Sequence, residues 1–297
     1  MRPFFIYLPK NSTKCTKFAN CPSFRFKIFC FLAIYTTKGG LTMGNLYFTS
    51  WDPLTGSRNQ TNRFRAADII KRFGGNRDLD YYLALESDCE TGELHILDRP
   101  MLDCVFHSEV AFPFKFDPTY CRYRLGDIQN KPSPCNIAVC HKGDLFAPWV
   151  PDQIIREVLE EAARIPDHNY FFLTRFPKRY STLPKLPSNF ILGVWIDQQK
   201  DLQKLLEVGA SNVRYLVMEP MRTQIRLEEY LQKSATKPEW IILGAGRHKY
   251  LSQIQKSWIE EIIWTCEQHQ IPIYIKKSLN RLVGAITIQQ KPLQFNI

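Results

Sequence analysis

Short, almost wholly apolar segments alternate along this chain with amphipathic ones, and this alternation limits the fold more than any other feature. Seven such segments, rich in β-branched and aromatic residues, follow residue 43, as expected for strands. Strands that are apolar on both sides are covered on both faces, which is typical of a parallel sheet with helices packed against it. The predicted strands are 46–51, 136–140, 170–173, 190–195, 213–218, 240–243 and 272–275.

The segments between these strands have helical periodicity. The clearest one begins with Pro151 in its first turn and places Ile154 and Val158 on one face, a pattern that predicts an amphipathic helix. Another ends at Gly74, which is a stop signal for a helix. The predicted helices are 66–73, 151–165, 202–208, 227–233 and 252–269.

Residues 76–134 interrupt this rhythm, because they are rich in Asp, Cys, Pro and aromatic residues and have no regular period. We predict an irregular insertion after the first βα unit, with a hairpin near residues 94–97. The other elements predict an α/β fold, namely a partial or complete (β/α) barrel of about six to seven parallel strands. This domain spans residues 43–297.

The first 42 residues differ from the rest in charge and pattern. Residues 1–43 carry seven basic side chains and no acidic one, so they account for most of the formal net charge of +10. We therefore favour Met43 as the natural start of the protein, the alternative being a short, disordered basic arm. With the leader set aside, the charge is weak support for nucleic-acid binding by the folded domain.

The nine cysteines have no regular spacing, which argues against a disulfide framework. Five of them lie between residues 89 and 140: Cys89, Cys104, Cys121, Cys135 and Cys140. The pairs Cys104 with His107 and Cys135 with Cys140 match no common zinc spacing, so we predict free thiols and no metal site. No apolar run approaches the roughly 18–20 residues that a membrane helix needs. We expect a cytoplasmic protein without a membrane partner.

In (β/α) barrels the chemistry lies at the carboxyl ends of the strands. The candidate catalytic residues at those ends are His141, Asp144, Glu219 and Lys276. The candidate ligand-binding residues are Asp52, Thr174, Arg175, Gly244 and Gly246. This mixed-charge set is suited to an anionic or zwitterionic ligand.

Ordered motifs at the strand ends resemble those of a known family. Residues 51–57 (WDPLTGS) and 64–75 (FRAADIIKRFGG) resemble its W-N-P-x-T-G-C strand exit and its Y-A-x-x-I-A-K-R-F helix. The family is a phage- and prokaryote-associated group of radical-SAM-related proteins, akin to spore photoproduct lyase. Further matches lie at 138–146, 149–152, 172–175, 177–180, 192–194, 219–220, 240–245 and 273–276.

The resemblance implies a radical-SAM-like TIM-type barrel, a [4Fe–4S] cluster and S-adenosylmethionine. In the family three cysteines hold the cluster, and the matching positions here are Ser57, Thr61 and Phe64. Hydroxyls are hard, un-ionised groups and Phe64 has no donor atom, whereas iron–sulfur clusters are held by thiolates. We therefore predict that neither cofactor is used. Gly246 also replaces a family glutamate.

These observations leave three hypotheses for the function. The first is a degenerate radical-SAM-like protein of phage or mobile-element type, which binds a partner, small molecule, nucleotide or nucleic acid. The second is an enzyme that uses the polar residues at the strand ends without a cluster. The third is a remnant with no retained activity. The sequence names no substrate and no oligomeric state.

Overall fold

The computed structural model describes residues 42–43, 46–58, 91–102, 109–110, 112–114, 116–208, 212–246, 251–284 and 288–295. Several predictions fall outside these residues. They are the leader up to residue 41, the helix at 66–73, much of the insertion, and two cluster-equivalent positions, Thr61 and Phe64. None of the described helices is long and apolar enough to cross a membrane.

Within the described residues, the strands are, in chain order, β1 (Thr42–Met43), β2 (Leu46–Tyr47), β3 (Thr49–Trp51), β4 (Leu54–Thr55), β5 (His95–Leu97), β6 (Thr119–Cys121), β7 (Asn136–Val139), β8 (Asn169–Thr174), β9 (Phe190–Trp195), β10 (Val213–Met218), β11 (Trp240–Leu243) and β12 (Ile273–Ile275). The α-helices are α1 (Asp152–Ala163), α2 (Gln199–Val208), α3 (Leu227–Lys233), α4 (Lys256–Gln268) and α5 (Asn280–Val283). Shorter 3₁₀ segments are Arg122–Asn130, Pro177–Thr182, Lys277–Leu279 and Leu293–Phe295.

Seven strands form one sheet in the order β12-β11-β10-β9-β8-β7-β3, and every neighbouring pair is parallel. Each strand of this sheet therefore lies beside the next one in the chain. Because the crossovers between parallel strands are right-handed, this sequential order puts the helices on one face and curls the sheet into a half-barrel. The prediction of an α/β fold with a parallel sheet is confirmed, in the form of an open half-barrel with β3 and β12 at its edges.

Most predicted boundaries agree with the structure. The predicted strand 46–51 is an exception, because it is divided into β2, which pairs with β1, and β3, which joins the large sheet. The two largest differences among the helices have local causes. Helix α2 begins at Gln199 because the carboxylate of Asp201 accepts hydrogen bonds of 3.0 Å from the backbone N–H groups of Asp197 and Gln198, which caps its first turn. Helix α4 begins only at Lys256 because Ile254 is buried in the core and holds the preceding turn outside the helix.

The hairpin predicted near residues 94–97 is wrong. Strand β5 lies there, but it pairs in parallel with β6, which also pairs with β4 in an antiparallel arrangement. A tight turn joins only antiparallel strands, and a long connection separates β5 from β6. The insertion therefore contributes two strands, β5 and β6, to a small three-stranded sheet whose third strand is β4.

The two faces of the half-barrel carry different cores. On the outer face, strand residues such as Tyr170 and Phe172 pack against apolar residues of the helices. The inner face has an aromatic core around Phe171, whose ring centroid lies 4.7 Å from that of Phe48 and 5.1 Å from that of Phe295. Successive strand residues point to opposite faces. The inward-pointing residues of each strand therefore lead, at its carboxyl end, to the polar residues described below.

Candidate functional site

Charged side chains of several strands meet at the carboxyl edge of the half-barrel. Because all strands of the sheet are parallel, their carboxyl ends lie at the same edge. We call this edge the mouth and define it by the residues that follow, or end, the strands there: Asp52, His141, Lys142, Arg175, Trp195, Asp197, Glu219, Arg222, Gly244 and Lys276. The structure therefore brings most of the predicted site residues together.

The first charged pair of the mouth joins Glu219 to Lys276. The Lys276 ammonium donates to Glu219 Oε2, and the Lys276 and Glu219 side chains are only 12% and 14% exposed. Gly244 makes room for this carboxylate, because a Cβ atom at that position would lie 2.5 Å from Glu219 Oε1. The indole Nε1 of Trp195 donates to the Glu219 carbonyl at 2.5 Å. Gly244, one of the predicted site residues, therefore leaves the space that the Glu219 carboxylate occupies.

The second charged group is built on Asp197. Its Oδ2 accepts from Arg175 Nη1 at 2.9 Å and lies 3.5 Å from Arg222 Nε. The guanidinium of Arg175 stacks over Trp195, 4.8 Å from the ring centroid. Burial raises the pKa of Asp197 and the two arginines oppose that shift. The other oxygen, Oδ1, is buried and has no hydrogen-bond partner among the described residues.

Asp144 and Thr174 lie apart from these pairs. Thr174 continues the outward row of Phe172, and its hydroxyl donates to Asp144 at 2.7 Å. Asp144 also accepts from the backbone N–H groups of Arg175 at 2.9 Å and Phe146 at 3.1 Å. Burial raises the pKa of Asp144 to about 6. We interpret Asp144 as a positioning residue that ties the loop after β7 to the end of β8.

His141 lies between the two sides of the mouth. Burial lowers its pKa, and Lys276 and Lys142 act in the same direction, whereas Asp52 and Glu219 oppose them. Its imidazole makes no hydrogen bond to any other described residue. Asp52 instead accepts from the Lys142 backbone N–H at 3.0 Å and from the Ser50 hydroxyl at 2.8 Å. A neutral imidazole is thus left able to contact a ligand.

A cleft of about 250 Å³ opens beside β3 and shares Asp52 and Lys142 with the mouth. Its other lining residues are Ser50, Trp51, Glu109, Phe112, Arg124, Asp127 and Lys131.

Gly246 lies at the opposite side of the mouth, where its φ of +61° and the close approach of Pro220 favour glycine. Gly246 therefore shapes the turn after β11.

Of the hypothetical metal ligands, Cys104 and His107 lie outside the described residues, and Cys135 and Cys140 are not brought together. Cys135 and Cys140 flank β7, so they lie roughly 16 Å apart at about 3.3 Å per residue. No group of three or more His, Cys, Asp or Glu suited to a metal ion occurs in the described part of the chain. Ser57 follows Gly56 at the exit of β4, where its backbone N–H donates to the Phe116 carbonyl at 3.0 Å. Its hydroxyl does not replace the thiolate that an iron–sulfur cluster requires.

Sequence reasoning missed Arg222 and Trp195. Arg222 lies in the loop that leaves β10, where no periodic pattern marks it. Trp195 ends a strand that was correctly predicted, and its alternation with the buried Ile191 on the inner face was the signal that could have placed it in the mouth.

The comparisons with known proteins bear on the family of this chain. Residues 100–283 match a family model described as "Protein of unknown function (DUF5131)". No curated protein and no solved structure matches the chain. The matched segment covers more than half of the chain and contains every mouth residue except Asp52. The chain therefore belongs to the family of proteins of unknown function DUF5131.

Proposed function

We propose that this protein is a degenerate, radical-SAM-like barrel protein of phage or mobile-element type that binds a small polar ligand at its mouth. The observation that carries the proposal is the pair of largely buried carboxylates there, Glu219 and Asp197, each held by cations from neighbouring strand ends. Clefts with a few convergent polar groups are the usual place for ligands in such folds.

Stability alone is a poor explanation for these pairs. Moving two charges out of water costs several kcal/mol per ion, so a buried ion pair is on balance no more stabilising than apolar residues of similar volume. Asp197 moreover leaves one buried oxygen without a partner among the described residues, which adds to the cost. A role in binding explains why charged groups occupy these positions.

The loss of cluster chemistry is part of the proposal. It is supported by the replacement of all three cluster thiols, at Ser57, Thr61 and Phe64, and by the motif resemblance. The sequential order of seven parallel strands is compatible with a partial barrel of this kind. The residues present do not fit an iron–sulfur cluster, so the proposed function involves neither a cluster nor S-adenosylmethionine.

A second candidate function is catalysis without a cluster. It is favoured by His141, whose lowered pKa leaves a neutral imidazole close to Glu219 and Lys276. Such an imidazole is suited to accept a proton from a bound ligand. In this reading the protein turns over a substrate at the same mouth.

Anaerobic reconstitution and calorimetric titration test the proposal together. We expect no absorption band near 400 nm and no stoichiometric iron, whereas about four irons per chain would overturn the loss of the cluster. S-adenosylmethionine should bind with a dissociation constant of about 200 μM or weaker, near −5 kcal/mol. Low-micromolar binding that Glu219→Ala abolishes would instead indicate a retained cofactor site.

Oligonucleotides serve as the competing ligand in the same titrations. Salt-sensitive oligonucleotide binding that Glu219→Ala leaves unchanged would indicate a basic nucleic-acid surface and would contradict a ligand site at the mouth. A screen of small polar metabolites by thermal shift, repeated with Glu219→Ala, gives the positive result. At least one compound should stabilise the parent protein and fail to stabilise the variant.

A further inference from the structure

The charges of the mouth differ in how far they reach the solvent. The side chains of Arg175 and Arg222 are 40% and 37% exposed, whereas the Asp197 side chain between them is only 5% exposed. The carboxylate thus lies behind the two guanidinium groups. A ligand that approaches this part of the mouth meets cations first, although the nearby residues include carboxylates. We call Arg175, Arg222 and Asp197 the arginine clamp.

Arg175 is held in place on three sides. Its Nη1 donates to Asp197, its guanidinium stacks on Trp195, and its backbone N–H donates to Asp144. Trp195 is itself fixed by its hydrogen bond to the Glu219 carbonyl. Among the described residues, Asp197 is the only side-chain acceptor for the Arg175 guanidinium, so the other N–H donors of this half-exposed side chain are available to a ligand. A side chain fixed in this way loses little rotamer entropy when it binds a ligand.

The two guanidinium groups lie side by side, because both contact the same oxygen of Asp197. Paired guanidiniums bind oxyanions through several charge-assisted hydrogen bonds, and their planar fork fits phosphate and carboxylate. Asp197 distinguishes between these oxyanions, because its Oδ1 is an acceptor that lacks a donor among the described residues. At neutral pH a phosphate group exists partly with one P–O–H donor, whereas a sulfate or carboxylate group has none.

We propose that the arginine clamp binds the phosphate group of the ligand that occupies the mouth. This inference rests on the proposed ligand-binding function and narrows it to phosphorylated small molecules. Arg175 and Arg222 hold the phosphate oxygens, and Asp197 orients both arginines. When the phosphate is protonated, Asp197 Oδ1 also accepts a hydrogen bond from its P–O–H group, and because this oxygen is buried behind the two guanidinium groups, the arginine side chains move apart around the phosphate as it binds. A sulfate in the same place would meet the Asp197 carboxylate without a proton between them.

The experiment is a calorimetric titration of the full chain with orthophosphate, at constant ionic strength, and a parallel titration with sulfate. We expect saturable binding of one phosphate per chain with a dissociation constant of about 1 mM, and sulfate binding at least about tenfold weaker. Arg175→Gln and Arg222→Gln should each weaken phosphate binding about tenfold or more, since each loses charge-assisted hydrogen bonds. Asp197→Asn should reduce the preference for phosphate over sulfate to less than about threefold.

Arg214→Gln is the matched control. Arg214 also pairs with a carboxylate, that of Glu239, but at the amino-terminal end of the strands, so the variant should bind phosphate as the parent does. Circular dichroism and thermal unfolding verify that each variant folds. Binding of phosphate and sulfate with equal affinity would overturn the phosphate assignment. The absence of saturation by 20 mM phosphate, a concentration about twentyfold above the expected constant, would overturn the clamp as an anion site.

The results that would overturn phosphate binding differ from those that would overturn the proposed function. A neutral metabolite that stabilises the protein and depends on Glu219, but not on Arg175, would leave the ligand-binding mouth in place and overturn the phosphate inference alone. A protein that no metabolite and no phosphate stabilises would contradict both.

Discussion

The two ends of the same parallel sheet use the same kind of charged pair in different ways. At the amino-terminal end, Arg214 binds Glu239 in a bidentate arrangement, with distances of 2.7 and 2.8 Å. Their side chains are 24% and 36% exposed. At the mouth, Glu219 and Lys276 are 14% and 12% exposed. The outer pair keeps contact with water and avoids most of the desolvation cost, whereas the mouth pair bears it.

The two ends also differ in whether their polar groups are satisfied. At the amino-terminal end, Asn136 donates to the Phe295 carbonyl at 2.9 Å and accepts from Asn169 at 3.1 Å. At the mouth, the buried Asp197 Oδ1 has no hydrogen-bond partner among the described residues. Buried polar groups in folded proteins are nearly always bonded. These polar groups of the amino-terminal end are thus bonded within the protein, whereas at the mouth one buried acceptor is left for the ligand that we propose.

Asp144→Ala gives the largest expected effect in this comparison. It removes the acceptor for the Thr174 hydroxyl and for the backbone N–H groups of Arg175 and Phe146. Leaving several buried donors unsatisfied should lower the free energy of unfolding by about 3 kcal/mol, as measured by urea denaturation. A loss below about 1 kcal/mol would show that water replaces the carboxylate and that Asp144 does not hold the mouth together.

Gly244→Ala should have the next largest effect. The new methyl group would meet the Glu219 carboxylate at 2.5 Å, so Glu219 must move away from Lys276, at a cost of about 2 kcal/mol in unfolding free energy. Gly126→Ala is the matched control, because nothing lies within 4 Å of a Cβ atom there, and should change stability by less than about 0.5 kcal/mol. Equal effects of the two variants would show that Gly244 does not seat Glu219.

Arg214→Gln tests the opposite end of the sheet. The pair with Glu239 is partly exposed, so its loss should cost about 1 kcal/mol or less, and the cost should shrink further in 1 M salt. Urea denaturation at two salt concentrations gives both values. A loss above about 3 kcal/mol that salt does not change would make this end energetically like the mouth and remove the contrast between them.

The sequence allowed the strands of the mouth to be predicted, and with them the position of Glu219 and Lys276. Their strands are continuous apolar runs, and the first charged residue after such a run lies at the carboxyl edge. The ion pair between Arg175 and Asp197 was not predictable in this way. It depends on the face of the sheet to which each side chain points and on the spacing of the neighbouring strands. Arg222 lies beyond Pro220 in a loop, where periodicity carries no information.

The insertion and Asp144 show the same limit. A short, mainly apolar run near residue 96 predicts a strand, but the partner of this strand is set by where the long connection brings β6. Asp144 follows a strand and was placed with the catalytic candidates. It is turned to the outer side by its bonds to Thr174 and to the loop backbone, which form only when β7 and β8 are already paired. Tertiary contacts of this kind leave no local pattern in the chain.

The smallest expected effect is the pH dependence that His141 confers on the mouth. Burial, Lys276 and Lys142 lower its pKa below the usual 6.5, so between 6.5 and the lowered value the unfolded chain binds this proton more tightly than the folded one. Stability contributed by neutral His141 is therefore present above pH 6.5 and is lost as the pH falls through this window. Asp144 acts in the opposite direction, because its raised pKa of about 6 lets the folded state take up a proton first as the pH falls.

Comparison of a His141 variant with the parent protein separates the effect of His141 on stability from that of Asp144. The stability of His141→Gln, compared with that of the parent between pH 7.5 and 5, should fall less on acidification, by about 1 kcal/mol or less. Titration of the His141 ring proton by NMR should give a midpoint below 6.5, and Lys276→Met should move that midpoint upward because a neighbouring positive charge is removed. A midpoint at or above 6.5 in the parent protein would contradict the lowering of the His141 pKa by burial and by the two lysines. The mouth would then not disfavour a charged imidazole, and neutral His141 would no longer distinguish it from the amino-terminal end.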